Sequence, residues 1–200
     1  MKRHPIIAIE GIDGSGKSTV ANLIAVKIGG VCIHTPDEGY DAMKDYFKNC
    51  CESAVPRFYF YLSSIWDAYQ KAVKITENKP VVLDRYSFST LVYHKVLFKK
   101  CGIEINIDKI AESLFPPAAD LNIYLKVNDE VAVNRLRKRQ NRKFDTELEC
   151  NRIFQSRVSE LFTGYCPLIV DANTDDIDLI SENCIKIIKK LIPEIKNVYA

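Results

Sequence analysis

Gly11-Ile12-Asp13-Gly14-Ser15-Gly16-Lys17-Ser18-Thr19 follows directly on the apolar run Pro5-Ile6-Ile7-Ala8-Ile9-Glu10. The nine residues fit G-x-x-x-x-G-K-[ST], a loop between a strand and a helix whose backbone N–H groups turn inward around phosphate oxygens. Gly11, Gly14, Ser15, Gly16, Lys17, Ser18 and Thr19 are therefore the candidate triphosphate contacts. Lys17 is placed to reach the β- and γ-phosphates, and the Ser18 hydroxyl to hold Mg2+. Downstream, Val20, Leu23, Ile24 and Ile28 recur at helical spacing and Gly29-Gly30 closes the helix. A strand before and a helix after separate this motif from a glycine-rich turn that binds nothing.

The 200 residues suit one domain, 1–200, large enough to bury a full sheet with helices on both faces. A net charge of +2, spread along the chain, argues against a nucleic-acid partner or a membrane surface. The seven cysteines (Cys32, Cys50, Cys51, Cys101, Cys150, Cys166, Cys184) form no C-x-x-C pair and no Cys/His ligand spacing. They read as reduced thiols, several of them buried. Met1-Lys2-Arg3-His4 runs straight into the first strand, and no apolar run approaches the ~18 residues that span a bilayer. The expected location is the cytoplasm.

Strand-like runs recur at 6–10, 31–34, 81–84, 121–127 and 168–171, separated mostly by helical periodicity. That alternation predicts a three-layer α/β/α sandwich around a five-stranded parallel sheet. The first and third runs are continuously apolar, as central strands covered on both faces require. Ligands then bind at the strands' C-terminal ends. Tyr46, Phe47, Phe58, Tyr59, Phe60, Tyr61, Trp66 and Tyr69 crowd the segment 42–74 and read mostly as core-facing aromatics of helices. Residues 130–162 are helical in pattern, interrupted by Arg135-Leu-Arg137-Lys138-Arg139-Gln-Asn-Arg142-Lys143, and an amphipathic helix is predicted from Asp175 to Leu191.

A switch, a mechanical ATPase and a small-molecule kinase all use such a loop. A guanine-specific switch carries Asn-Lys-x-Asp, but here Asn78-Lys79 is followed by Pro80-Val81. A motor places Glu after the strand-ending carboxylate to activate water, but Asp84 is followed by Arg85-Tyr86. An arginine beside the metal-organising Asp84 suits a clamp for a second phosphorylated ligand, since guanidinium binds phosphate in a bidentate way. The alternative is an ion pair at a strand end. Arg135 and Arg139 lie one helical turn apart, with Arg142 beyond, so residues 135–148 read as a lid that brings arginines over the transferring group. The alternative there is a solvated basic face.

These residues resemble the thymidylate kinase family over nearly the whole chain. The stretch Glu10 to Thr19 is similar to its phosphate loop, and Asp84-Arg85-Tyr86-x-x-Ser89-x-x-x-Tyr93 to its Asp-Arg-Tyr motif. Asp120-Leu121-x-x-Tyr124-Leu125 resembles its Pro-Asp-Leu strand, with Ala119 in place of proline. Arg135-x-x-x-Arg139 resembles its lid arginines, and Val170-Asp171-Ala172 its last strand. The resemblance implies a P-loop NTPase fold with a helical lid, and phosphoryl transfer from MgATP to a nucleoside monophosphate. It implies that Asp13 contacts the acceptor sugar or organises the metal shell, that Arg85 and Ser89 belong to the acceptor site, and that Tyr93 packs where a 2′-hydroxyl is sensed. Ser15 stands where some members carry a loop arginine, so catalytic arginines are expected from the lid, Arg139 and Arg142. Arg135 and Arg139 are further expected on the ATP side, Arg139 near the adenine, and a homodimer through helices flanking the aromatic segment.

The base pocket departs from that pattern. Members commonly present a stacking Phe followed four residues later by a thymine-reading Arg, whereas here Phe60 is followed by Ser64. Arg57-x-x-Phe60-Tyr61 is closer to the UMP/CMP kinases of the same fold. The expected acceptor is dTMP or a related dUMP, dCMP, UMP or CMP, with Phe60 or Tyr61 as the aromatic face. Without the arginine's hydrogen bond, strict thymine selection is not expected. A nucleoside kinase is the main alternative. Its 5′-hydroxyl acceptor needs a general base, for which Asp37 or Glu38 is placed, but Arg85 would then have less to hold. A catalytically silent nucleotide-binding partner protein would need the loop but neither the arginine clamp nor the lid.

Overall fold

Five strands carry the apolar runs: β1 Ile6–Glu10, β2 Val31–His34, β3 Val81–Asp84, β4 Leu121–Lys126 and β5 Leu168–Asp171. The computed structural model describes residues 3–49, 53–138 and 151–195. Arg139, Arg142 and the rest of the expected lid to residue 148 lie outside the described residues. All pairings are parallel, in the order β2-β3-β1-β4-β5. β1 and β3 are neighbours and buried at every position, as their unbroken apolar sequence demands. The fourth strand ends one residue before Val127, which is nonetheless buried.

The helices are α1 Lys17–Lys27, α2 Asp41–Asn49, α3 Ala54–Ile75, α4 Ser87–Lys100, α5 Ile107–Leu114, α6 Asp129–Lys138, α7 Arg152–Tyr165 and α8 Ile177–Leu191. Side chains alternate across β1 with period two. Ile7 and Ile9 point to Val20 and Ile24 of α1 and Ile180 and Ile188 of α8. Ile6 and Ala8 point to the opposite core, with Phe58 and Ile65 of α3, Val92 of α4 and Phe162 of α7. The result is the three-layer sandwich. Of the crowded aromatics only Phe47, Phe58 and Phe60 are buried; Tyr46 of α2 is exposed, and so are Tyr59 and Trp66, which lie seven residues apart on one face of α3.

Local signals set the helix ends. Gly29, at φ 67°, closes α1 as Gly30 N donates to the Ala25 carbonyl. Asp176 caps α8 by accepting from Leu179 N, which starts that helix two residues later than its sequence pattern suggests. At the N-terminal edge of the sheet, Asp120 accepts from Ile6 N and from the Arg3 Nη1, each at 2.7 Å. Parallel register brings Glu10, His34 and Asp84 together at the opposite edge, where Ile9 and His34 flank Asp84. Among the described residues no helix is long and apolar enough to cross a membrane.

Candidate active site

The loop Gly11 to Gly16 leaves β1 at this C-terminal edge. Gly14 has φ 83°, and a Cβ built there would sit 2.4 Å from the Ala132 carbonyl oxygen of α6, so both backbone and packing demand glycine. Gly16, at φ 86°, caps α1 with no side-chain hydrogen bond and no acidic residue in the first turn. The positive end of that helix is thus left to an anion. Lys17 is 6% exposed, and its Nζ donates to the Ile12 carbonyl at 3.1 Å and lies 3.6 Å from Asp13 Oδ1.

Asp84 ends β3 beneath the loop. Its Oδ2 lies 2.9 Å from His34 Nδ1, whereas its buried Oδ1 has no hydrogen-bond partner. Burial opposes its charge, but the bonds to His34 and Ser18 and the Lys17 ammonium outweigh this and hold the carboxyl below its ordinary value. The bond to Asp84 in turn raises His34.

Arg85 adopts φ 70°, a left-handed backbone in a non-glycine residue, which turns its side chain back over the loop. Its Nη2 donates to Asp13 Oδ1, its Nη1 lies 3.3 Å from the Gly11 carbonyl and 3.4 Å from Ser89 Oγ, and the guanidinium stacks 5.3 Å from the Tyr93 ring centroid. The Tyr93 hydroxyl is 2.9 Å from Asp13 Oδ2 and 3.4 Å from Gln155 Oε1 of α7. Burial first, then the Asp13 carboxylate, push the Tyr93 phenol well up, so it stays a neutral hydroxyl. Asp13 therefore gathers Lys17, Arg85 and Tyr93.

Ser89, expected against the acceptor, is buried, and its hydroxyl meets Glu10 Oε2 as well as lying 3.4 Å from Arg85 Nη1. Phe60, one of the two expected aromatic faces, is buried. It packs on Phe47 at 5.1 Å and Tyr40 at 5.7 Å, away from α4. Tyr61 is the aromatic that faces α4, with its ring 5.5 Å from that of His94. Arg57 donates from Nη2 to the Phe47 carbonyl at 3.1 Å. Ser64 is buried and donates to the Tyr61 carbonyl. On the nucleotide side, Arg135 of α6 lies across the loop, with Nη1 3.5 Å from the Ser15 carbonyl, Nη2 bonded to the Thr174 carbonyl and Nε 3.3 Å from Asp175.

Asp37 is bonded to Lys71 of α3, which lowers its carboxyl, and its other oxygen accepts from Gly39 N. Glu38 is exposed. Sequence reasoning missed Glu10, His34 and Gln155. A carboxylate ending a wholly apolar strand is a signal for Glu10, because an acid is rarely fully buried without a task. Gln155 carried none.

An arginine fixed next to the carboxylate, with no glutamate there to activate water, gives this cradle a second ligand to hold instead of water to split. That is the working arrangement of a P-loop phosphotransferase. The sequence model of the family described as "Thymidylate kinase" matches residues 9–183. The chain is 31% identical over 193 residues to "Probable thymidylate kinase 1" of Saccharolobus solfataricus, covering 92% of this chain and 97% of that protein. Its fold is shared with thymidylate kinase from Candida albicans (TM-score 0.75, 23% identity, 94% of this chain and 92% of that chain). It is shared also with deoxyadenosine kinase from M. mycoides (TM-score 0.71, 23% identity, 92% and 99%). The chain belongs to the thymidylate kinase family, and so to the nucleoside monophosphate kinases.

Proposed function

We propose that this protein transfers the γ-phosphoryl group of ATP to a pyrimidine nucleoside monophosphate, with dTMP the reference acceptor and dUMP, dCMP, UMP and CMP related ones. One observation carries the reading: Arg85, held by a left-handed backbone against Asp13 and Tyr93, presents a fixed guanidinium beside the phosphate loop. A monophosphate is already an anion and needs no general base, only alignment and positive charge.

Lys17 and the N-terminal turn of α1 hold the donor phosphates, and Arg85 holds the acceptor phosphate. Asp13 and Tyr93 set the sugar. The unpartnered Asp84 Oδ1 and the Ser18 hydroxyl bonded to Asp84 would hold Mg2+, which would supply charge neutralisation on the donor phosphates. Arg135 lies between the loop and the segment after β5, where an adenine would rest. Arg139 and Arg142 supply the closing charge from the lid. The protein acts in the cytoplasm as one domain, 1–200, with Mg2+ and ATP and without nucleic acid or membrane. Its homodimer forms through helices flanking the aromatic segment 42–74.

The test is ADP production with MgATP against these five monophosphates, dGMP and thymidine. A charge-assisted bidentate contact is worth about 1.5–3 kcal/mol, roughly 10- to 150-fold in affinity. The wild type should prefer dTMP to thymidine by that factor, and Arg85→Met should erase most of it. Best use of dGMP rejects the pocket, and best use of thymidine moves the chain to the nucleoside kinases.

A further inference from the structure

The two oxygens of the Asp84 carboxylate have different surroundings. Oδ2 lies 2.9 Å from His34 Nδ1, whereas Oδ1 is buried with no partner among the described residues. A carboxylate only accepts, so the imidazole carries a proton on Nδ1 and donates it there. A buried acceptor left open is unfavourable unless a donor or a cation reaches it.

The sheet puts the imidazole in this place. Parallel register pairs His34 with Asp84 across β2 and β3, two residues beyond the pair Cys32 and Val82. Cys32 and Val82 belong to the core on the α1 side, and side chains repeat every second residue, so His34 and Asp84 both leave the sheet towards α1. Asn22 of α1 meets the ring there. Its Nδ2 donates to the Ser18 carbonyl at 2.9 Å, one turn earlier on the helix, and lies 3.4 Å from His34 Nε2. With the proton on Nδ1, Nε2 is free to accept from that amide. A bridge of two side chains therefore runs from Ser18 through Asn22 and His34 to Asp84, and its ends are the two residues assigned to Mg2+.

We propose that His34 and Asn22 are positioning residues for the metal site: His34 occupies Asp84 Oδ2 so that Oδ1 is the oxygen offered to Mg2+, and Asn22 sets the angle of the imidazole. Both act through Asp84. Groups that orient a metal-binding carboxylate in this way commonly change metal affinity by about 10- to 100-fold. The assignment rests on the metal-holding role given to Asp84 in the kinase reading above.

The experiment measures, by calorimetry and without turnover, the Kd of a non-hydrolysable ATP analogue with a β,γ-methylene bridge, in EDTA and in saturating Mg2+. The ratio of the two constants reports how tightly the bound analogue holds the metal. His34→Leu should lower that ratio by about 10- to 100-fold with the EDTA value within about twofold of wild type. The His34 side chain is 49% exposed, so the fold should tolerate the change. His34→Asn returns an N–H close to the place of Nδ1 and should recover most of the ratio. Asn22→Ala should lower it less, and should add no more than about twofold in the His34→Leu background, because it acts through the ring. A wild-type ratio retained in His34→Leu, with only the thermal midpoint reduced, would make the pair a strand-end contact and overturn the proposal. So would a His34→Asn protein that folds and is no better than His34→Leu, while full additivity of Asn22→Ala would strike Asn22 from it. Wild-type turnover of dTMP alongside an unchanged ratio in His34→Leu sinks this assignment alone, whereas a wild type that binds the analogue in neither condition sinks the kinase reading and this with it.

Discussion

Glu10 closes the first turn of α4 through Ser89. Its Oε1 accepts from Ser89 N at 3.3 Å and from Tyr86 N at 3.1 Å, while Oε2 meets the Ser89 hydroxyl, so a residue of β1 serves as the cap of a distant helix. Arg85 immediately precedes these two anchors. Glu10→Ala would leave buried donors unpaired and should lower stability by about 2–4 kcal/mol. Glu10→Gln keeps an acceptor and should lose about 1 kcal/mol. Urea unfolding reads both, and equal stability of Glu10→Ala and wild type would show that the cap is dispensable.

Lys17 is buried at its stem and charged at its tip, so Lys17→Met keeps the packing and removes only the ammonium. Turnover should fall by ~10³ or more, because the lost contact is to charge that builds in the transition state. The thermal midpoint should move little. A folded Lys17→Met enzyme with near-normal kcat would rule out the phosphate role.

Asp37 is ion-paired with Lys71, and Glu38 is exposed. Asp37→Asn and Glu38→Gln should therefore retain dTMP turnover to within about threefold, since no proton needs removing from a phosphate acceptor. A drop of about a hundredfold in either, seen with thymidine as substrate, would identify a nucleoside kinase.

His94 is neutral when folded, its value depressed from 6.5 to about 4. Below 6.5 the unfolded chain takes up a proton that the folded chain refuses, so stability falls as pH drops through this window. The full effect is about 3 kcal/mol by pH 4. The stability difference between His94→Phe and wild type, measured at pH 7 and pH 4.5, should shift towards the variant at low pH. A pH-independent difference would mean that the folded ring takes up its proton as readily as the unfolded one.

The first and third strands were legible because short, nearly unbroken apolar runs admit few other structures. The phosphate loop was legible because its glycines answer first to local backbone geometry. Neighbours on a helix face directions about 100° apart, so which of Phe60 and Tyr61 faces α4 depends on how α3 sits, and no local signal carries that. Ser89 shows the same limit: its partner Glu10 is 79 positions away. Asp176, which starts α8, could be found only to within two residues because Asp175 offers the same side chain one step earlier.

The two ends of β1 have separate jobs. Asp120 pins the entrance of the strand through Ile6 and Arg3, while Glu10 at its exit organises the turn that carries Arg85. Ile6 and Glu10 are the first and last residues of the strand, ~13 Å apart. At that distance energetic effects add without coupling. The protein can thus be hardened against heat from its floor, by rebuilding the surroundings of Arg3 and Asp120, with no toll on the chemistry at its rim.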